Sequence, residues 1–426
     1  MAVAGDCLVL ADGAYRIPTL SLAGTEGAPI VVRAAHRGRA VVSSGAIHFL
    51  GAAHVVVEGL DVTSAGAPST LANGGSEGML VAFTDSHHCR LTRTRIHPQG
   101  AVVDRDWIVL TGAGTHHVRI DHDDLGPQTV RANMLVVDGT GQEQPLVPGQ
   151  VAPHNRIDHN HFHDIVNDGG NNWEAIRLGR SWQGPSGGFN LVEGNLFTAA
   201  TGDPETISVK SSDNVIRNNT LRATAGEICL RHGNRNQVYG NYILGEGERR
   251  SRGLRVYGAD HRIFNNYVAA AATGIWLDAG SSPASDEPGK GHYQVYRAWV
   301  FNNTVVGRDI RVGGSKPHPP RDCRVANNVI TAPGALNPDG TAIVSEGNLV
   351  GEPSPLTWQG GLYRLLANPA GARAIDRAVD APFYGLRDDI EGQPRLAPDV
   401  GADEQSSAPV AVPGPLTAAD VGPDAP

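Results

Sequence analysis

Three basic residues sit in strand-like phrases at nearly even spacing: Lys210 in ISVKSS, Arg231 with His232 in EICLRHGN, and Arg255 in GLRVYG. The intervals are 21 and 24 residues. A single charge in a strand ordinarily faces water. Three cations repeated at one spacing, and so stacked on a common face, repel one another; their natural counterpart is a polyanion or a bound carboxylate. Just upstream lie oxygen donors, Asn171 in DGGNNWE and then Asp203 and Glu205 in GDPETISVK. Side chains two apart in an extended segment share a face. The Asp203 and Glu205 carboxylates therefore repel unless a cation lies between them, and two acids with an amide suit Ca2+. Taken alone, an Asp-x-Glu step is usually just a polar turn.

The elements that must position these groups are legible as a repeat. One short phrase recurs as RIDHNHF (156–162), LVEGNLF (191–197), VIRNNTL (215–221), QVYGNYI (237–243), RIFNNYV (262–268), WVFNNTV (299–305) and RVANNVI (324–330). Its second asparagine or equivalent falls at 160, 195, 219, 241, 266, 303 and 328, giving intervals of 35, 24, 22, 25, 37 and 25. Weaker copies are HVVVEGLDV (54–62), CRLTRTRI (89–96) and VRIDHDDL (118–125). An interval of 22 to 25 residues suits one turn of a solenoid with about three short strands and three bends, whose rungs bury their apolar faces only by stacking. Asparagines recurring at one bend suit a ladder of side-chain amides. The expected fold is an all-β, right-handed parallel β-helix, with the longer intervals marking loops inserted on the binding face. The LxxLxL phrase of leucine-rich repeats and the WD phrase of propellers are absent. The solenoid is expected over 1–351, a segment closing its C-terminal end over 352–404, and a flexible tail over 405–426.

Composition agrees: 53 glycines, 28 prolines and 5% aromatics favour many short strands and turns over long helices. A net charge of −9 argues against nucleic acid as a partner and requires a locally basic groove for any anionic ligand. No apolar run approaches the roughly 18 residues of a membrane span. Cysteines at 7, 89, 229 and 323 have no paired spacing and read as buried small hydrophobes. The start MAVAGDCLVL lacks the charged and apolar regions of a signal peptide. His87–His88 and His116–His117 fall at rung bends, where polar residues belong, and RRSR (249–252) reads as a solvated loop. Trp276 in GIWLD, 21 residues past Arg255, is a candidate to stack on a sugar or to serve as a core or rim aromatic.

The runs NDGGNNWEAIRLGRS (167–181), GDPETISVKSSDNVIRNNT (202–220), ICLRHGNRNQVYGN (228–241) and GLRVYGADHRIFNNY (253–267) resemble polysaccharide lyase family 6. That family contains alginate lyases and chondroitinase B, which cleaves dermatan sulfate. The opening GDCLVLADGAYR, with APIVVRAA and VVVEGL, extends the resemblance over most of residues 5–345. By position, the resemblance implies Lys210 as general base and Arg231 as general acid, Asn171, Asp203 and Glu205 as Ca2+ ligands, and Arg255 and His232 as substrate contacts. It implies β-elimination on an anionic uronate polymer, alginate before dermatan sulfate because most of the family acts on it, in a secreted or periplasmic enzyme. A C5-epimerase and a non-catalytic glycan-binding β-helix are the alternatives. Two departures stand out: Asp203 occupies a place where the family commonly has Glu, and NNWE (171–174) replaces Asn-Gly-Gly-Glu. Relatives also carry a leader and an N-terminal cap where this chain begins almost at its first strand, so an incomplete start is expected.

Overall fold

A computed structural model of the chain describes residues 2–64, 67–70, 76–99, 106–166, 170–289, 291–334, 336, 338–351, 354–365 and 371–426. Strands of two to six residues stack into three parallel sheets of thirteen, ten and thirteen strands, which the chain visits in turn. One rung illustrates the plan: Glu205–Lys210 lies in the ten-stranded sheet, and Val215–Arg217 and Thr220–Arg222 lie in the other two. The chain is a parallel β-helix. Each recurring phrase of the sequence is a strand, a two-residue corner and a second strand, as in Arg156–Asp158 followed by His161–Ile165.

Register follows from the inward apolar residues. In the ten-stranded sheet Ile176, Ile207, Ile228, Leu254, Ile275 and Ile310 stack as one column, and Leu178, Val209, Leu230, Val256, Leu277 and Val312 as another. All are essentially inaccessible to water. A slip by one residue would turn both columns outward, so burial fixes which side chains face solvent.

The expected amide ladder is present at the corner between the two thirteen-stranded sheets. Asn160 Nδ2 donates to Asn195 Oδ1 at 3.0 Å, and the same bond repeats through Asn219, Asn241, Asn266, Asn303, Asn328 and Asn348 at 2.8–3.0 Å. Each Oδ1 also accepts a backbone N–H from the rung below, as Asn219 does from Asn195 N at 3.0 Å. The residue before each ladder asparagine holds a left-handed φ, such as 54° at Asn218, 49° at Asn265 and 62° at Gly194. Asparagine and glycine tolerate that region best, which explains the Asn-Asn and Gly-Asn pairs. A second ladder, Asn155–Asn190–Asn214–Asn236, runs at another bend and ends on His261 Nδ1.

Three expectations about the ends are corrected. The described residues of 352–404 do not close the end of the solenoid; they lie along its last rungs, where Asn265, Asn302 and Asn327 donate to Asp388, Asp399 and Val379 carbonyls. Leu362, Ile390 and Ala402 cover Tyr242 and Tyr267 there. Residues 405–426 are no loose tail. Leu416 N donates to Thr220 Oγ1, Gly422 N donates to the His159 carbonyl, and Arg93 donates to the carbonyls of Pro423 and Ala425. The segment thus runs back along the outer face toward earlier rungs, secured by backbone groups that an Ala- and Pro-rich composition still provides. Cys7 is exposed, whereas the other three cysteines are buried, and all four are free.

Asp123 stands in the ladder one rung before Asn160. Its N–H donates to Asn160 Oδ1 at 2.9 Å and its Oδ1 accepts from Thr94 N at 2.7 Å, but among the described residues Oδ2 has no hydrogen-bond partner. Complete burial pushes its carboxyl well above the usual range, with nearby Asp121 adding to the shift. The folded state therefore holds this proton more tightly than the unfolded chain, and Asp123 costs stability as pH rises past the ordinary carboxylate range. Asp123→Asn supplies the missing amide; at neutral pH it should stabilise the fold by about 1–3 kcal/mol, measured by thermal melting, with the gain shrinking at pH 4. An unchanged or lower melting temperature at neutral pH would contradict this account.

Candidate active site

The outward face of the ten-stranded sheet carries the groups singled out by the sequence, but not in one row. Arg177, Ser208, Cys229, Arg255, Trp276 and Arg311 are opposite one another on successive strands. A register shift at the end of Glu205–Lys210 sets Lys210 opposite His232, so that Arg231 is the extra residue. Arg255 faces Cys229, two positions before Arg231. The stacked row of Lys210, Arg231 and Arg255 is therefore corrected: loops of unequal length make a 24-residue interval differ from the 26 residues between the paired Ile228 and Leu254.

Their charges are met by an alternating series of acids instead. Lys210 Nζ lies 3.6 Å from Glu174 Oε1, and Arg231 Nε lies 3.7 Å from Glu205 Oε1. Among the described residues neither cation donates a side-chain hydrogen bond, so both keep their donor positions open. Arg177, by contrast, donates several side-chain hydrogen bonds: its Nη2 reaches both Glu174 oxygens at 2.6 Å and Asn172 Oδ1 at 2.8 Å. Glu205 is oriented by Ser208 Oγ, which donates to Oε2 at 2.5 Å. Asp203 Oδ1 and Oδ2 accept the N–H groups of Glu205 and Trp173.

These surroundings set the protonation states. Burial lowers the Lys210 pKa, and Arg177 and Arg231 push the same way against Glu174 and Glu205. Burial works to raise Glu174, but Arg177 and Lys210 hold it below its usual range. Asp203 is pushed up to about 7, by burial first and then by the charges of Glu174 and Glu205. Its charge is thus poorly compensated within the protein. That is the condition a hard cation relieves, and the donor set of two carboxylates and an amide fits one. Asn171 is exposed on the turn beside this cluster, while Asn172 is committed to Arg177.

Beyond Arg231 the groove continues. Asp278 Oδ2 accepts from Arg255 at 2.7 Å and Lys316 at 2.8 Å, and also from the Tyr257 hydroxyl. His292, from the loop inserted within the 37-residue interval, stacks on Tyr257 with centroids 4.2 Å apart. Two expected substrate contacts are placed differently. Trp276 is sandwiched by the guanidinium groups of Arg255 and Arg311 at 4.6 and 4.7 Å, so its faces are covered and a sugar cannot stack there. His232 is buried, and burial together with Arg231 and Lys210 drives its pKa down to about 3. It is a neutral group beneath the groove, and lines a small cavity with Ser181 and Tyr293. Past Trp276 a cavity of about 310 Å³ is bordered by Arg308 and Arg311.

Glu174, Arg177, Tyr257, Asp278, His292 and Lys316 were not singled out by the sequence. Arg177 could have been, since it alternates between the inward Ile176 and Leu178. Lys316 carries no local signal, because it arrives on a loop 38 residues past Asp278.

The outward face of this β-helix thus holds a lysine and an arginine, both partly buried, ion-paired to carboxylates and, among the described residues, without side-chain hydrogen bonds. The sequence profile of the chondroitinase B family matches residues 1–315, and the chain belongs to that family. Among solved structures it is similar to a mannuronic-acid-specific polysaccharide family 6 lyase from the human gut microbiota, at 27% identity and a TM-score of 0.67, over 80% of this chain and 77% of that one. It is similar to the family 6 alginate lyase AlyGC at 25% identity and a TM-score of 0.74, over 97% of this chain, which spans 57% of AlyGC. The family 6 lyase Pedsa3628 from Pseudopedobacter saltans shares the fold at 21% identity and a TM-score of 0.70, over 99% and 95% of the two chains. No curated protein matches the chain. The protein is a polysaccharide lyase of family 6.

The opposed effects of Arg177 and Glu174 on Lys210 give a direct test of these electrostatics. Arg177→Met should raise the Lys210 pKa and Glu174→Gln should lower it. The pH dependence of 13C-methylated lysine signals reports both, and shifts of the same sign in the two variants would rule out this arrangement.

Proposed function

We propose that the chain cleaves an anionic uronate polymer, alginate first, by Ca2+-assisted β-elimination with Lys210 as base and Arg231 at the leaving oxygen. The observation that carries this reading is the pair of cations held by ion pairs of 3.6 and 3.7 Å but, among the described residues, by no side-chain hydrogen bond, one of them a largely buried lysine with a lowered pKa. A free lysine, with a pKa of about 10.4, is a poor base at neutral pH. Desolvation favours its neutral form and moves its pKa toward what a general base needs.

The C5 proton of a uronate is weakly acidic while the adjacent carboxylate keeps its full charge. Asn171, Asp203 and Glu205 are the residues that would hold Ca2+, which when bound supplies the positive charge that neutralises that carboxylate. Lys210 takes the C5 proton. The electron pair left behind forms the C4–C5 double bond as the C4–O bond breaks. Arg231 hydrogen-bonds the departing oxygen, and because arginine stays charged, water against its guanidinium delivers the proton. Arg255, held by Asp278 and against the face of Trp276, would bind a neighbouring sugar carboxylate.

Support for alginate comes from the mannuronic-acid-specific lyase and from AlyGC. The cationic cavity bordered by Arg308 and Arg311 supports dermatan sulfate as a second reading, since a sulfated sugar calls for added arginines. Either polymer places the enzyme outside the cytoplasm. Alginate blocks, dermatan sulfate and pectate, each screened for the ultraviolet absorbance of the unsaturated product, separate these readings. Lys210→Ala should abolish that absorbance with folding intact; product formation by the variant removes lysine from the base role.

Calcium binding carries its own pH dependence. A proton on Asp203, with its pKa near 7, competes with the ion. Calorimetry should show Ca2+ affinity rising and proton release falling between pH 6 and 8. Affinity that is flat over this range, or full activity in excess chelator, contradicts the assignment.

A further inference from the structure

Six histidines, none used by the lyase chemistry, gather at the bends that lead into the first thirteen-stranded sheet. They form two columns. His87 stacks on His116 with centroids 5.0 Å apart and planes within 5°. His54, His88, His117 and His154 stack in sequence at 4.8, 4.8 and 4.9 Å, and the column ends on Phe189. The columns touch through ring nitrogens: His87 Nδ1 lies 3.0 Å from His88 Nδ1, and His116 Nδ1 lies 2.8 Å from His117 Nδ1.

Bend polarity accounts for polar residues here but not for this pattern. The second column occupies one left-handed position on every rung, with φ of 51° at His54, 53° at His88 and His117, and 60° at His154. Later rungs fill the same position with alternating charges, Asp213 against Arg235 at 2.7 Å and Asp260 against Arg297 at 2.6 Å. Six imidazoles have no such alternation and repel one another once protonated. Neutral imidazoles whose nitrogens converge are instead suited to a shared electrophile.

Two nitrogens that each bind one ion at about 2.0–2.1 Å, at angles between 90° and tetrahedral, stand about 2.9–3.3 Å apart. The two Nδ1 pairs are at or just below that spacing. One ring nitrogen from each of His54, His87 and His88 lies within 4.8 Å of the others, so a third donor closes onto the ion with a small side-chain rotation. We propose that His54, His87 and His88 bind a divalent transition-metal ion of the zinc, copper and nickel class, and that His116 and His117 offer a second, two-nitrogen site one rung on. Imidazole favours such ions over Ca2+, which takes oxygen donors, so this site is chemically separate from the carboxylate cluster of the groove. Because His54 and His87–His88 belong to successive rungs, a bound ion cross-links them and should stabilise the fold.

The test uses the full chain after chelator treatment, titrated with ZnCl2 by calorimetry and melted with and without Zn2+. Wild type should bind one or two ions and melt at a higher temperature with Zn2+ present. His87→Gln/His88→Gln should weaken binding about tenfold or more and remove the thermal shift. His161→Gln/His163→Gln, at the separate Asp124 cluster, should keep both. His88→Gln alone changes an exposed side chain, and its melt without metal shows whether folding is preserved. Absence of Zn2+ binding in wild type, equal affinity in the His87/His88 variant, or loss confined to the His161/His163 variant would each overturn the proposal.

Discussion

Everything in this molecule rests on the hydrogen bond between one ladder asparagine and the next. An amide can donate to the rung above while accepting a backbone N–H from the rung below, so a single side chain ties three rungs together. It does so at a corner where the preceding residue must hold a left-handed φ. Loss of one amide would leave buried donors and acceptors unpaired on both sides, at about 1–3 kcal/mol for each group. The ladder also fixes register, and register decides which residues of each short strand point out. A groove built on strands of three to six residues has little other means of holding its side chains still.

Onto that frame the groove adds charge in a way the interior can tolerate. Arg177 and Glu174 form a close, doubly bonded pair that satisfies both at full burial, and the pair stands beside Lys210 without neutralising it. The ion pairs of Lys210 and Arg231 are longer and lack hydrogen bonds. A buried charge left half satisfied is costly, and the cost here appears as the lowered pKa of Lys210 and the raised pKa of Asp203. Both shifts come from one arrangement: a lysine held without close hydrogen-bond partners, next to carboxylates whose charge the protein leaves poorly compensated. Asp203, shorter by one methylene than the glutamate common at this place in the family, keeps both oxygens on backbone N–H groups.

The parts legible in the sequence were those where geometry demands a residue type. The left-handed corner and the amide ladder admit few side chains, so the Asn-Asn and Gly-Asn pairs announced the rungs, and the Lys210–Glu205–Asp203 neighbourhood followed from short-range spacing. What depended on the length of loops was not legible. The extra residue at Arg231 and the displacement of Arg255 arise because adjacent rungs close through turns of different length, which leaves no trace in any single phrase. Lys316 and His292 come from inserted loops, and only the folded chain brings them to Asp278 and Tyr257. The C-terminal segment misled for a related reason. Its composition cannot build a core, but it needs none, because the outer faces of earlier rungs offer it arginine donors and a threonine acceptor.

The left-handed bend position that runs the length of the solenoid shows how one backbone constraint can be put to different chemical uses. Stacking brings whatever side chains occupy it to about 5 Å from the next rung, close enough for any like charges to interact strongly. Along the later rungs the position alternates acid and arginine, and the repulsion becomes a series of ion pairs. Along the earlier rungs it carries imidazoles, which avoid repulsion only while neutral. Neutral imidazoles stacked face to face, with a second column within ring-nitrogen contact, turn a problem of packing into a ready array of metal donors. The same stacking that makes the groove possible on one face thus gathers nitrogen donors at a bend, apart from the oxygen donors of the groove.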